Sequence, residues 1–78
     1  MSITWVERAD YRCILRLLFN GELLTRKQIK KAEPSIAVNC TLIDLLERGF
    51  LMTIPINDEG TKHGFMMTHE GGVWYMAH

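Results

Sequence analysis

The segment over residues 24–51 constrains the fold more than any other part of the chain, because it carries two helix signals separated by a proline. Thr25 and Gln28 have the spacing of a capping box, in which the hydroxyl accepts the Gln28 N–H and the Gln28 side chain reaches back to the backbone. This box predicts a short basic helix over residues 26–32. Pro34 then separates this helix from the next one, since the residue before a proline is driven out of the α region.

A second helix is predicted from Pro34 or Ser35 to about Arg48, because proline suits the first turn of a helix. Gly49 suits the left-handed position at which a helix ends. At 3.6 residues per turn one face of this helix is apolar and is expected to face the core. That face consists of Val38, Leu42, Leu45, Leu46 and Gly49. The segment therefore predicts two helices joined by a tight corner, with a strand directly after the second.

The residues before this segment predict a further helix. Thr4 and Glu7 form another capping box, and Asn20-Gly21 provides a stop signal. Its expected buried stripe consists of Tyr11, Ile14, Leu15 and Leu18. The three residues 22–24 are too few for a helix, so they predict a stub of strand.

The residues after the segment predict a β-hairpin and a last short helix. Residues 50–56 are rich in β-formers and alternate as a strand does, and Pro55 marks an edge position or the strand's end. A turn cluster over residues 57–60 leads to a second strand over residues 65–67. Thr68 is expected to cap a short helix that Gly71 and Gly72 weaken, so it should fray easily. One of Met66 and Met67 must face outward on alternating strand positions, and a dimer contact could use it.

Length, charge and hydropathy predict one small domain that has no contact with a membrane. Seventy-eight residues predict one domain spanning residues 1–78, and nine basic against nine acidic residues give a formal net charge of zero. That balance exerts no global pull on nucleic acid or on an anionic membrane. No apolar run reaches transmembrane length and no signal peptide is evident, so we expect a cytoplasmic protein without membrane contact. Cys13 and Cys40 lack CxxC spacing and favour free thiols.

Catalytic and metal-binding patterns are absent from the sequence. We find no paired carboxylates, no Ser/His/Asp arrangement and no glycine-rich phosphate loop, so no enzymatic activity is expected. The three histidines (His63, His69 and His78) predict turn and surface positions rather than a zinc site. No cofactor is expected.

The predicted order is helix, strand stub, helix, helix, hairpin and short helix. Three pieces, LTRKQI, TLIDLLERGFL and FMMTHEGGVW, give it a resemblance to small bacterial and phage winged helix-turn-helix regulators, among them MarR-like and PadR-like proteins. The resemblance covers nearly the whole chain. It implies an α+β winged helix-turn-helix fold, with a three-helix core, a hairpin wing and a short C-terminal helix.

The resemblance also implies a DNA-binding transcriptional regulator. Its third helix, about residues 35–48, would enter the major groove of double-stranded DNA, while the second braces on phosphates. The phosphate contacts would come from Arg26, Lys27, Lys30, Lys31 and Lys62. The base readout would come from Ser35, Ala37, Asn39 and Thr41. A homodimer is expected, because a single module with few phosphate contacts binds weakly.

The composition of the third helix leaves a second interpretation open. On a helical wheel its outward face has acidic residues where base-reading arginines or lysines usually stand. The same fold could instead serve as a protein–protein interaction module, as a small phage or plasmid modulator would. Its contact patch would consist of Ile36, Ala37 and Cys40, with Asp44 and Glu47 as an acidic rim.

Overall fold

The computed structural model describes residues 9–77, which form an α+β arrangement of four helices and one antiparallel hairpin. In chain order the elements are α1 (Ala9–Leu18), α2 (Arg26–Ala32), α3 (Val38–Glu47), β1 (Leu51–Pro55), β2 (His63–Met67) and α4 (His69–Ala77). The capping box expected at Thr4 and Glu7 lies outside the described residues. Among residues 9–77, no helix has the length and apolar content needed to cross a membrane.

The local signals around α2 are confirmed. Gly21 has a φ of 80° just after α1, as expected for a residue that stops a helix. The Gln28 N–H donates to Thr25 Oγ1 over 3.2 Å, and the Thr25 N–H donates to Gln28 Oε1 over 2.9 Å. Both halves of the predicted capping box are therefore present, and they fix the first turn of α2.

The prediction for the start of α3 is wrong by three or four residues. Residues 34 and 35 form a turn, and the helix begins at Val38 after Ala37, which forms no side-chain cap. The turn leaves Ile36 half-buried and packed against the core. The helix thus begins where its buried stripe begins, rather than at the proline that local preference favours. Its end at Glu47, and the left-handed Gly49 with φ 77°, agree with the prediction.

Thr41 was predicted to contact DNA bases, which requires an exposed side chain, but it faces inward. Thr41 follows Val38 by three positions and precedes Leu45 by four, so it lies in the same inward stripe. Only 3 % of its surface is exposed, and its hydroxyl donates to Asp10 Oδ2 over 2.9 Å. The buried hydroxyl joins α3 to α1.

One core joins the helices to the hairpin. Its buried members come from α1, α2, α3 and both strands: Tyr11, Ile14, Leu15, Leu18, Ile29, Val38, Leu42, Leu45, Leu51 and Phe65. Around it lie half-buried aromatic residues, with the ring of Trp74 centred 5.7 Å from those of Tyr11 and Phe50. The predicted stripe of α1 is confirmed in full. On the predicted core face of the third helix Leu46 is half-buried, and Gly49 is exposed because the helix has already ended.

The hairpin pairs β1 with β2 in antiparallel register, Leu51 opposite Met67 and Thr53 opposite Phe65. On its other side β2 meets the predicted strand stub, which proves to be a single bridge residue. The Phe65 N–H donates to the Leu24 carbonyl over 2.7 Å, and the Leu24 N–H returns a bond of 3.2 Å. β1 is therefore an edge strand, and Pro55 is its last residue, as expected.

The hairpin passes into α4 through Thr68. The Thr68 N–H donates to the Phe50 carbonyl over 3.0 Å, while Thr68 Oγ1 accepts the Gly71 N–H over 3.1 Å. Thr68 is thus the expected cap of α4. Gly71 lies close against Phe50 and Met67 at this junction, which positions α4 beside the base of the hairpin.

Candidate nucleic-acid interface

Four basic side chains project from α2, whose one fully buried residue is Ile29. The helix contains no acidic residue, and its cations lie on the exposed side: Arg26, Lys27, Lys30 and Lys31. They are four of the nine lysines and arginines of the chain. A neutral protein therefore presents a locally basic surface.

The first of two grooves beside α2 lies between its N-terminus and the hairpin. It is lined by Thr25, Arg26, Lys27, Lys62 and His63. The bridge between Leu24 and Phe65 explains the arrangement, because in an antiparallel pair the residues that follow Leu24 come to lie beside those that precede Phe65. Three cations from two distant parts of the sequence thus share one concave surface with no acidic lining residue.

The second groove lies between α2 and the start of α3. It is lined by Lys30, Ile36, Ala37, Val38, Asn39 and Cys40. Lys30 therefore stands beside the first turn of α3. The two grooves lie along the same helix, so the basic side chains of α2 form a strip from the hairpin to the start of α3. We call this surface the basic strip, and it includes Lys62.

Three of the four predicted base-reading residues lie at the start of α3. Ser35, Ala37 and Asn39 are exposed, although Ser35 and Ala37 precede the helix rather than belong to it. Thr41 is not among them, because its side chain is buried against Asp10. The surface left for base contacts is therefore compact and lies beside Lys30.

The outward face of α3 differs from the predicted contact patch. Cys40 and Glu47 are exposed as expected, but Asp44 is half-buried. Sequence reasoning missed Ile43, which has 57 % of its surface exposed. The helical spacing could have found it, since Ile43 follows Cys40 by three positions and precedes Glu47 by four.

The tip of the hairpin is fixed by the side chain of Asn57. Its Oδ1 accepts the N–H groups of Thr61 and Lys62 over 3.0 and 3.3 Å, and its Nδ2 donates to Thr61 Oγ1 over 2.8 Å. Asp58 and Glu59 are exposed at the tip. These bonds place Lys62 at the base of a loop whose far end carries two acidic side chains.

Comparison of this chain with models of protein families, with curated proteins and with solved structures finds no match. Within residues 9–77, no group of three or more His, Cys, Asp and Glu side chains is placed to hold a metal ion. Cys13 and Cys40 are free thiols.

Proposed function

We propose that this chain is a winged helix-turn-helix protein that binds double-stranded DNA and regulates transcription, with no catalytic activity and no cofactor. The start of α3 enters the major groove, α2 braces on the phosphates on one side, and Lys62 approaches the backbone from the hairpin. The observation that carries the proposal is the basic strip. It brings Lys30 beside the exposed residues that precede and begin α3, and it continues along α2 to Lys62 of the hairpin.

The chemistry of these residues supports distinct roles. Arg26, Lys27, Lys30, Lys31 and Lys62 would neutralise phosphates and position the protein without reading sequence. Asn39 has the amide that pairs with adenine, Ser35 can donate to or accept from a base edge, and Ala37 can contact a thymine methyl. Thr41 has no such role in this proposal, because its hydroxyl is bonded inside the fold.

Salt dependence of DNA binding tests the proposal directly. We would measure fluorescence anisotropy of a labelled mixed-sequence duplex between about 20 and 200 mM salt. The affinity should fall with salt, with a logarithmic slope of about 0.9 for each phosphate contact. The double variant Lys27→Gln, Lys62→Gln should bind more weakly, and its logarithmic salt slope should be smaller by the contribution of about two phosphate contacts.

A matched control removes the same charge elsewhere. Arg12 and Arg16 are exposed on α1 and line neither groove beside α2, although Arg16 lies 3.9 Å from Glu33, the residue at the end of α2. The variant Arg12→Gln, Arg16→Gln should keep the wild-type slope. Equal losses in the two variants would mean that net charge alone matters. No binding at 20 mM salt would overturn the proposal.

The exposure of Ile43 favours one alternative function. A large apolar side chain at the centre of the outward face of α3, with Cys40 and Glu47 beside it, suits a protein contact better than a phosphate-lined groove. In that case Ile43→Ser would abolish binding to a protein partner, and the lysine variants would keep it. On DNA, Ile43→Ser would change sequence preference and leave the salt slope unchanged.

A further inference from the structure

His63 lines the groove between the N-terminus of α2 and the hairpin, and the DNA contacts described so far do not use it. Its side chain is exposed. Within residues 9–77, its imidazole forms no hydrogen bond and no ion pair. Both ring nitrogens are therefore available to a ligand that enters the groove.

The hairpin register directs the side chain of His63 toward the helices. His63 pairs with Pro55, two positions before the buried Phe65 on the same strand. Successive side chains of a strand alternate between faces, so His63 begins on the face of Phe65, which packs into the core shared with α2. Lys62 begins on the opposite face, where its carbonyl accepts the Ile56 N–H. Of the two hairpin residues that line the groove, His63 is therefore the one that points toward α2.

The charged side chains that line this groove with His63 are all cations among the described residues. Two come from α2 and one from the hairpin: Arg26, Lys27 and Lys62. The residue opposite His63 on β1 is Pro55, which has no ionisable group. Asp58 and Glu59 lie at the hairpin tip and do not line the groove. These surroundings favour an anion as the ligand beside the imidazole.

We propose that His63 is a further phosphate contact of the DNA-binding surface, and that it makes this contact in its protonated form, so that DNA binding takes up a proton. The inference rests on the proposed DNA binding and deepens it. Histidine is the side chain whose charge ordinarily changes between about pH 5 and 8. The proton comes from solvent, and both nitrogens of an imidazolium donate hydrogen bonds. A neutral imidazole neutralises no phosphate and so releases no counterion.

The direction of the pH dependence follows from the charge of the phosphate. A phosphate beside the ring favours the protonated imidazole over the neutral one, so the affinity for DNA should increase as the pH falls. One phosphate contact adds about 0.9 to the logarithmic salt slope, which at about 100 mM salt corresponds to about eightfold in affinity. The wild type should therefore bind about eightfold more tightly at about pH 5.5 than at about pH 8, with a slope larger by about 0.9.

Fluorescence anisotropy of a labelled mixed-sequence duplex, measured at both pH values in a buffer without phosphate, tests this contact. The salt would again be varied between about 20 and 200 mM. The variant His63→Gln cannot be protonated, so it should lose the gain in affinity and in slope at low pH. The variant His63→Arg carries a permanent charge, so at about pH 8 it should show the slope that the wild type reaches at about pH 5.5. A purely structural role for His63 would not produce this rescue.

His69 provides a matched control, because it is an exposed histidine at the start of α4 and lines neither groove beside α2. His69→Gln should keep the whole gain at low pH. Circular dichroism at both pH values would confirm that the variants are folded.

The outcomes separate this contact from DNA binding itself. Failure of the wild type to bind at about 20 mM salt at either pH would overturn the proposed function. Equal slopes of the wild type at the two pH values, or a gain that survives His63→Gln, would overturn the contact and leave DNA binding intact. The same conclusion would follow if His63→Arg bound no more tightly than His63→Gln at high pH, or if His69→Gln lost the gain.

Discussion

Gly71 allows α4 to pack against the backbone at the base of the hairpin. A Cβ built on this residue would overlap the carbonyl oxygen of Phe50 and lie 2.9 Å from Met67 Cγ. The neighbouring Gly72 is different, because its Cβ would meet only Met67 Cε at 3.8 Å, an ordinary contact. Position 71 therefore has no room for a side chain, whereas position 72 has room for a methyl group.

We expect Gly71→Ala to destabilise the protein by about 1–3 kcal/mol, the usual cost of forcing an extra methyl into a packed site. Gly72→Ala should stabilise it by about 0.5–1 kcal/mol, because alanine loses less backbone entropy in a helix. Urea unfolding followed by circular dichroism would give both values. A Gly71→Ala variant as stable as the wild type would show that α4 does not approach the Phe50 carbonyl this closely.

Among the elements, α1 and α3 are joined by the bond from Thr41 to Asp10. We expect Thr41→Val to lower the free energy of unfolding by about 1–3 kcal/mol, because the carboxyl group loses a donor inside the fold. Thr41→Ser keeps the hydroxyl and should cost about 0.8 kcal/mol, the value of one buried methyl.

The same pair of variants decides whether Thr41 reads DNA bases. Both variants, where folded, should bind duplexes as the wild type does, as measured by anisotropy below their unfolding temperatures. A folded Thr41→Val protein that had lost sequence preference would restore Thr41 as a base-reading residue.

Sequence reasoning succeeded where the signal is local. The capping box at Thr25, the stop at Gly21 and the cap at Thr68 each involve residues within a few positions, and all three are confirmed. It failed at the start of α3, where local preference favours a helix from Pro34 but the packing of Ile36 against the core requires a turn. Thr41 was misplaced although its spacing from Val38 and Leu45 puts it in the inward stripe; what the spacing cannot supply is the partner of its hydroxyl, Asp10, which lies 31 positions away.

The sequence identifies the basic residues of the candidate site, but it does not show which of them lie side by side on one surface. The basic composition of α2 is evident in the sequence. The groove that Lys62 and His63 share with Arg26 depends on the bridge between Leu24 and Phe65, and no local pattern specifies that bridge. The sequence left open which of Met66 and Met67 faces outward, because the pairing of Met66 with Met52 is set by the register of the folded hairpin.

For the molecule as a whole, one shared core means that the helices and the hairpin stabilise each other. Ile29 is fully buried in this core, whereas Ile43 is 57 % exposed. We expect Ile29→Ala to cost about 2–5 kcal/mol, a large part of the roughly 5–15 kcal/mol that stabilises a typical domain. Ile43→Ala should change stability by no more than about 0.5 kcal/mol.

Urea unfolding with circular dichroism would separate the two isoleucine variants. The loss in Ile29→Ala should appear as a single transition at lower urea, because α2 cannot detach without opening the core. A separate early transition would show instead that α2 and its basic strip unfold independently. A large loss in Ile43→Ala would contradict the exposure of that side chain.

The side-chain bonds of Asn57 to Thr61 and Lys62 have a consequence for recognition at the hairpin tip. A loose loop loses conformational entropy when a partner orders it, and that loss weakens binding. Here the bonds of Asn57 already hold the loop in one shape in the folded protein, so a partner that meets the tip should lose less of its affinity to this entropy cost.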